Sequence, residues 1–468
     1  MPQTDTRPHV TRRFRGLPWL VAIAMFMQML DVTILNTAIP SMAEHLGTSP
    51  FSLHAVILAY GLAVAVCTPA SGWLADRFGS RAIFAASVAL FTVSSLAAGL
   101  SQSLWFLVLV RVLQGAGAAL MVPVGLAAIL HHYPRDRYLK VMNYVTIPGL
   151  VGPLLGPLLG GWLTEYASWR WIFFINVPIG LIGLMLIKRC MPDYRNPQAR
   201  RFDTYGFLLF AGGIAVLTTA LDALGQQAWP AAIALPLAAL ALLPLFWCTR
   251  HFGRHEAPLF SPALWRLKGF RAGILATLLG RLGTGAIPLL VPLFLQLALG
   301  FSPIKAGACV GIASIGAIGA KPLLPMLIRH FGRARLLTAT NVLLAFTTWA
   351  FGWFTPDSAG AWLIVLLLLN GALNSTQYTV LNAATVTELP TDLTNMGNTG
   401  WITAMQLSIA FGLAFGSLLL AALAPVGLTG VALLPAFHWT FAVLALLTLI
   451  AIWFGRDVSE SPKQVGTR

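Results

Sequence analysis

Long, uninterrupted apolar runs alternate with short polar segments along almost the whole chain. They lie at about 19–40, 53–74, 82–100, 104–130, 141–163, 171–187, 205–224, 229–247, 270–299, 306–328, 336–354, 361–385, 401–422 and 432–454. A helix needs about 20 apolar residues to cross the hydrocarbon core of a bilayer, and each run is near that length. The pattern therefore predicts an all-α membrane protein with fourteen transmembrane helices. Strands of a membrane barrel would alternate apolar and polar residues over about ten positions, and these runs do not alternate.

An internal repeat organises the spans. Residues 46–79 and 299–332 match without gaps at nine of 34 positions, including Gly47/Gly300, Ser49/Ser302, Pro50/Pro303, Pro69/Pro322 and the pairs Phe78-Gly79 and Phe331-Gly332. Both blocks cross in the same direction, so the repeat is parallel, an arrangement typical of transporters built from two facing halves. The expected division is a tail at 1–15, a six-helix half at 16–187 and a polar linker region at 188–269 carrying two extra helices at about 205–224 and 229–247. A second six-helix half at 270–455 and a tail at 456–468 complete it.

Composition agrees with the membrane reading. Of the 468 residues, 57% are hydrophobic and 10% charged, against about 25% charged in soluble domains. The net charge of +15 would point to nucleic acid in a soluble chain. Here 25 of the 30 Lys and Arg fall on one side when the N-terminal tail is placed in the cytoplasm, so topology accounts for the excess. Arg12-Arg13-Phe14-Arg15 precedes the first run as in a signal peptide, but no small-residue cleavage site follows. An uncleaved first span is expected, with both termini cytoplasmic in a cell inner membrane. The four cysteines lack paired spacing, and no GxxxxGK[ST] stretch provides for a nucleotide.

The loop after span two reads Gly72-Trp-Leu-Ala-Asp76-Arg77-Phe-Gly79-Ser-Arg81, and span four contains Arg111-Val-Leu-Gln114-Gly115-Ala-Gly117. Span five carries Gly152-Pro153-Leu-Leu-Gly156-Pro157-Leu-Leu-Gly160-Gly161. With Leu30-Asp31-Val-Thr33-Ile-Leu-Asn36 in span one and Trp169-Arg170-Trp171 through Asn176-Val-Pro178, these motifs resemble the fourteen-span drug–proton antiporters of the major facilitator superfamily. The resemblance extends over nearly the whole chain. It implies a proton-coupled exporter, multidrug in type, with a cytoplasmic gate motif at Gly72–Arg81 and an antiporter motif in span five.

Each motif also has a direct physical reading. Gly72 and Gly79 permit a tight turn, and Asp76, Arg77 and Arg81 are placed to latch the halves or to set topology. Gly152, Gly156 and Gly160 form a smooth strip on one helix face, either a pliable seam between halves or ordinary close packing. Pro148, Pro153 and Pro157 favour bending.

Charges inside the hydrocarbon cost about 2.5–3.5 kcal/mol each even on a lenient scale, and four occur: Asp31, Arg111, Arg281 and Lys321. Asp31 is the lone acid of the spans and the candidate proton-coupling group. Arg281, with Arg111 and Lys321, is a candidate anchor for an anionic substrate. The open alternatives are a buried ion pair for Asp31 and Arg281, and a side chain reaching back to the interface for Lys321. Asn36, Gln114, Asn370, Asn374 and Gln377 complete the candidate cavity; such amides equally serve helix–helix contacts.

The expected function is a proton-coupled secondary exporter working by alternating access on a small organic solute, with an organic anion or metal chelate as the class the bases favour. A non-transporting receptor or sensor on the same fold is the alternative. No catalytic or metal constellation is evident, no cofactor beyond the proton is implied, and the chain is expected to act as a monomer in the bilayer.

Overall fold

The computed structural model describes residues 16–455, apart from 51, 134, 197–200, 226–230, 256–257, 359, 387–388, 391–392 and 425–429. Both expected tails lie outside the described residues. Among these residues every regular element is helical and no β-strand occurs. The long helices are α1 (Leu17–Thr37), α2 (His54–Phe78), α3 (Ser80–Gly99), α4 (Leu104–His132), α5 (Arg135–Tyr166), α6 (Trp171–Cys190), α7 (Thr204–Gly225) and α8 (Ala231–Phe252). They continue with α9 (Lys268–Ala298), α10 (Pro303–Ala320), α11 (Arg333–Phe351), α12 (Ala361–Val386), α13 (Thr394–Leu423) and α14 (Leu434–Gly455). Among the described residues, eleven helices are long and apolar enough to cross a membrane. The other three expected runs, α5, α7 and α11, are helical as well.

Several helices carry breaks that the residues explain. In α1 the helix tightens to a 3₁₀ turn at Leu35–Thr37, just before Pro40, whose missing N–H would otherwise pair with Asn36. In α9 the α-helix ends at Thr284, restarts at Ile287–Leu293 and closes with a π turn at Phe294–Ala298. The expected turn at Gly72 is not formed: Ser71–Phe78 is helical through it. The reversal between α2 and α3 is made by Gly79 alone, at φ 97°, a region L-residues enter only at a cost of about 1–2 kcal/mol. Its repeat partner Gly332 has φ 75°, and Gly47 and Gly300 pair likewise at 62° and 70°. The sequence repeat is thus a backbone repeat.

The packing follows the same repeat. Helix α1 packs on α5 as α9 does on α13, α2 on α4 as α10 on α12, and α3 on α6 as α11 on α14. The most extensive contacts between these groups are α2 with α13 and α5 with α10, which exchange under the same correspondence, and the 3₁₀ turn of α1 adds smaller contacts to α9 and α10. Helices α7 and α8 pack on each other, and α7 lies against α13 and α2, where Ile214 shares a small core with Ala65 and Leu407.

The two ends of the bundle differ. At the end bearing Gly47 and Gly300, one continuous core unites Ile34, Ile39 and Phe173 with Leu290, Phe294 and Phe437. There Gln296 Nε2 donates to the Thr37 carbonyl at 3.1 Å and the Ile304 amide to Glu165 Oε2 at 3.0 Å. At the end bearing Gly79 and Gly332 the cores are separate, one around Phe84 and Val124 and another around Leu337 and Val380. The molecule is shut at the first end and divided at the second.

Candidate functional site

Five helices converge on Asp31. Its Oδ2 pairs with Arg111 Nη1 of α4 at 2.5 Å, and both side chains are 1% exposed. Its Oδ1 accepts from Gln114 Nε2 at 2.8 Å and from Asn176 Nδ2 of α6 at 3.1 Å. Arg111 and Gln114 stand three residues apart, so they share one face of α4, and Arg111 also donates to Gln114 Oε1 at 2.8 Å. Gln114 further donates to Ser95 of α3, and Arg111 Nε to the Val56 carbonyl of α2. The Tyr60 ring lies 4.2 Å from the guanidinium carbon. A buried charge is tolerable only when its partner and hydrogen bonds are supplied, and here both charges have them. The ion pair left open by sequence is the observed state of Asp31. Arg111 is consumed by it and does not face a substrate as a free cation, a correction to its expected place in the cavity. Asn176 and Tyr60 were not singled out from sequence, although Asn176 stands in a motif quoted there.

Arg281 has no such neutralisation. Its Nε and Nη1 are buried and without a hydrogen-bond partner, and no acid pairs with it among the described residues. Its neighbour is the ring of Tyr378 on α12, at 5.9 Å. Tyr378 stays 39% exposed and packs edge-on against Trp401 of α13 at 5.1 Å. The Trp401 indole nitrogen is likewise buried and unpartnered. Two donors lacking acceptors therefore flank one partly open tyrosine. Sequence had flagged Arg281 but neither aromatic residue, since Tyr and Trp in spans usually read as interfacial belts.

The remaining candidates disperse. Asn370 Nδ2 donates to Thr347 Oγ1 at 2.9 Å and Gln377 Nε2 to Asn341 Oδ1 at 2.7 Å, so both tie α12 to α11, while Gln377 Oε1 is buried without a partner. Asn374 is half-buried, and Asn36 is buried in the 3₁₀ turn of α1. Lys321 is exposed just beyond the end of α10 and does not join Arg281.

The gate segment is engaged by the start of the linker that follows its own half. The Ser80 amide donates to the Tyr194 carbonyl, Arg81 Nε to the Met191 carbonyl at 2.8 Å, and the Asn196 amide to the Asp76 carbonyl. Gly79 lies against Asp193 and Arg195. Gly72 and Arg77 are exposed and Asp76 is half-buried.

In α5, side chains at Gly152, Gly156 or Gly160 would collide with residues 29–37 of α1. That strip is a contact inside one half, not the seam between halves. The seam is made by Gly161, against Pro303 and Ile304, and by the far face of α5. Helix α5 runs unbroken through its prolines. Pro157 has no N–H for the Pro153 carbonyl four residues back, and Ser314 of α10 donates to that oxygen at 2.8 Å.

The sequence matches the Major Facilitator Superfamily over residues 21–413 and again over 273–468. The chain belongs to the major facilitator superfamily. Relatives named MdtD for multidrug resistance agree: one from Salmonella dublin is 44% identical over 460 residues, covering 96% of each chain. Another, from Escherichia fergusonii, is 43% identical over 457 residues, covering 96% of this chain and 95% of its own. Solved structures share the fold. A POT family transporter superposes with a TM-score of 0.70 at 16% identity, covering 95% and 97% of the two chains. A D-xylose–proton symporter gives 0.68 at 14%, covering 94% and 96%. This member of the superfamily is a multi-pass membrane transporter and not an enzyme, and nothing among its relatives supports the receptor alternative.

Proposed function

We propose that the chain is a proton-coupled exporter of the inner membrane, moving a small organic anion outward by alternating access. The observation that carries the substrate class is Arg281, whose Nε and Nη1 are buried without partners next to Tyr378, a ring that also packs on Trp401 with its unpartnered N–H. Burying an uncompensated charge costs several kcal/mol, and a carboxylate or phosphate arriving with its own negative charge offsets that cost through bidentate contacts. A lipophilic cation would meet repulsion there. The multidrug names of the relatives leave room for a broad range of such solutes.

Fourteen membrane crossings, arranged six, two and six, best accommodate the packing symmetry and the three additional helices α5, α7 and α11. With both termini and the basic loops cytoplasmic, the divided end faces the cytoplasm, and this state is ready to take up solute from inside. Asp31 is the coupling carboxylate. Adding a proton to it abolishes the charge that holds Arg111, Gln114 and Asn176 together, and so ties proton binding to the packing of five helices. Protons are the coupling ion, no other cofactor takes part, and the monomer is the working unit.

Uptake into inside-out vesicles under an imposed proton gradient tests this. A panel of carboxylates and metal chelates should be transported and quaternary ammonium compounds should not. Arg281→Met should lower anion flux at least tenfold without lowering the melting temperature, since it removes an unpaired buried charge. Strong cation export that Arg281→Met leaves unchanged would refute the anion reading.

A further inference from the structure

Apart from the transport pathway, a second polar cluster ties the ends of the extra helix pair. Asp203 directly precedes α7, His251 occupies the last turn of α8, and His255 follows it by one helical turn. Asp203 is buried. Its Oδ1 accepts from His251 Nε2 at 2.7 Å and from the Gly206 amide at 2.8 Å, and its Oδ2 accepts from the Leu259 amide at 3.3 Å. One ligand atom from each of Asp203, His251 and His255 lies within 4.8 Å of the other two. The two imidazole rings are 5.0 Å apart, and the His255 amide donates to the His251 carbonyl.

We propose that Asp203, His251 and His255 form a site for a divalent transition metal of the zinc class. Two imidazole nitrogens and one carboxylate oxygen are a borderline ligand set that selects such ions over calcium or magnesium. In a tetrahedral complex with bonds of about 2.0–2.1 Å, ligand atoms stand roughly 3.3 Å apart. Asp203 and His251 are already within that spacing, and a ligand atom of solvent-exposed His255 lies within 4.8 Å of both. Solvent supplies the remaining position. A bound ion would staple the start of α7, the end of α8 and the segment leading to α9, fixing the extra pair to the entrance of the second half. Spacing along the chain hides this site, because Asp203 is 48 residues from His251.

The full-length protein, purified in detergent without a histidine tag, should bind one Zn2+ per chain in competition with a chromophoric chelator. His255→Ala should weaken that binding at least tenfold while leaving the Asp203–His251 contact in place. His255→Cys should restore it to within a few-fold, since a thiolate also ligates zinc. His251→Ala should abolish it. Failure to retain Zn2+, or an affinity unmoved by either alanine variant, would show that Asp203 and His251 are a plain hydrogen-bonded pair.

Discussion

Asp31 and Arg111 form a buried ion pair, and ordinary mutagenesis would confuse that structural role with the coupling role proposed for Asp31, because losing either partner strands the other charge. Removing one member of a buried ion pair costs about 3–5 kcal/mol, whereas replacing both with apolar residues is often neutral. Asp31→Asn should therefore abolish proton-driven transport and also lower the melting temperature by several degrees. Asp31→Leu combined with Arg111→Leu should recover most of that stability while coupled transport stays absent. Thermal melts paired with gradient-driven uptake separate the two effects. A double variant that still concentrates solute would move the coupling group elsewhere. Arg281 offers the opposite case. No acid pairs with it among the described residues and its Nε and Nη1 have no partner, so its removal should read out function with little folding penalty beyond the contact with the Tyr378 ring.

Adjacent glycines of α5 divide the work of one helix. A methyl group at Gly160 meets Ile34 and Thr37 of α1, while one at Gly161 meets Pro303 and Ile304 of α10. Overpacking a close contact costs about 1–3 kcal/mol, but its consequence depends on whether the contact lasts through the transport cycle. Gly160→Ala should lower the melting temperature. Gly161→Ala should instead bias the molecule away from the state closed at this end. The second effect is measurable in a background lacking native cysteines, with a cysteine placed at Ala306, which is fully buried on α10. Its alkylation rate should rise at least several-fold in Gly161→Ala and change little in Gly160→Ala. Equal rates in both variants would mean that the seam is static.

At the scale of the molecule, a core shared at one end and split at the other is one state of a rocking pair, and alternating access requires its mirror image. Phe78 and Phe331, each 51% exposed, mark the divided end at repeat-related positions. Spin labels there should approach one another when solute and a proton gradient are supplied. Labels at His45 and Lys305, exposed at the closed end, should separate under the same conditions. Distances that stay fixed at both ends in a transporting sample would exclude the rocking motion. The packing symmetry also explains why the motion needs no refolding. Contacts α2–α13 and α5–α10 lie between the halves, while α1–α5 and α9–α13 lie within them and would move as units.

The helical membrane class, the parallel repeat and the family were legible in the sequence because each is local. A run of about 20 apolar residues specifies a span wherever it occurs, and Gly79 and Gly332 marked the same turn in both copies. The candidate site was legible only as a set of costly charges. Asp31 stood out as an acid in hydrocarbon, but its partner lies 80 residues away on another helix. Which residues meet depends on each helix's depth and its rotation about its own axis. In a chain apolar on nearly every face, hydropathy carries little information about that rotation. Tertiary structure therefore decided that Arg111 neutralises Asp31, that Arg281 stays unpaired beside Tyr378, and that Asn370 and Gln377 bind helices together. It alone turned the Gly152–Gly160 strip toward α1, brought Asp203 to His251, and set which end of the bundle is closed.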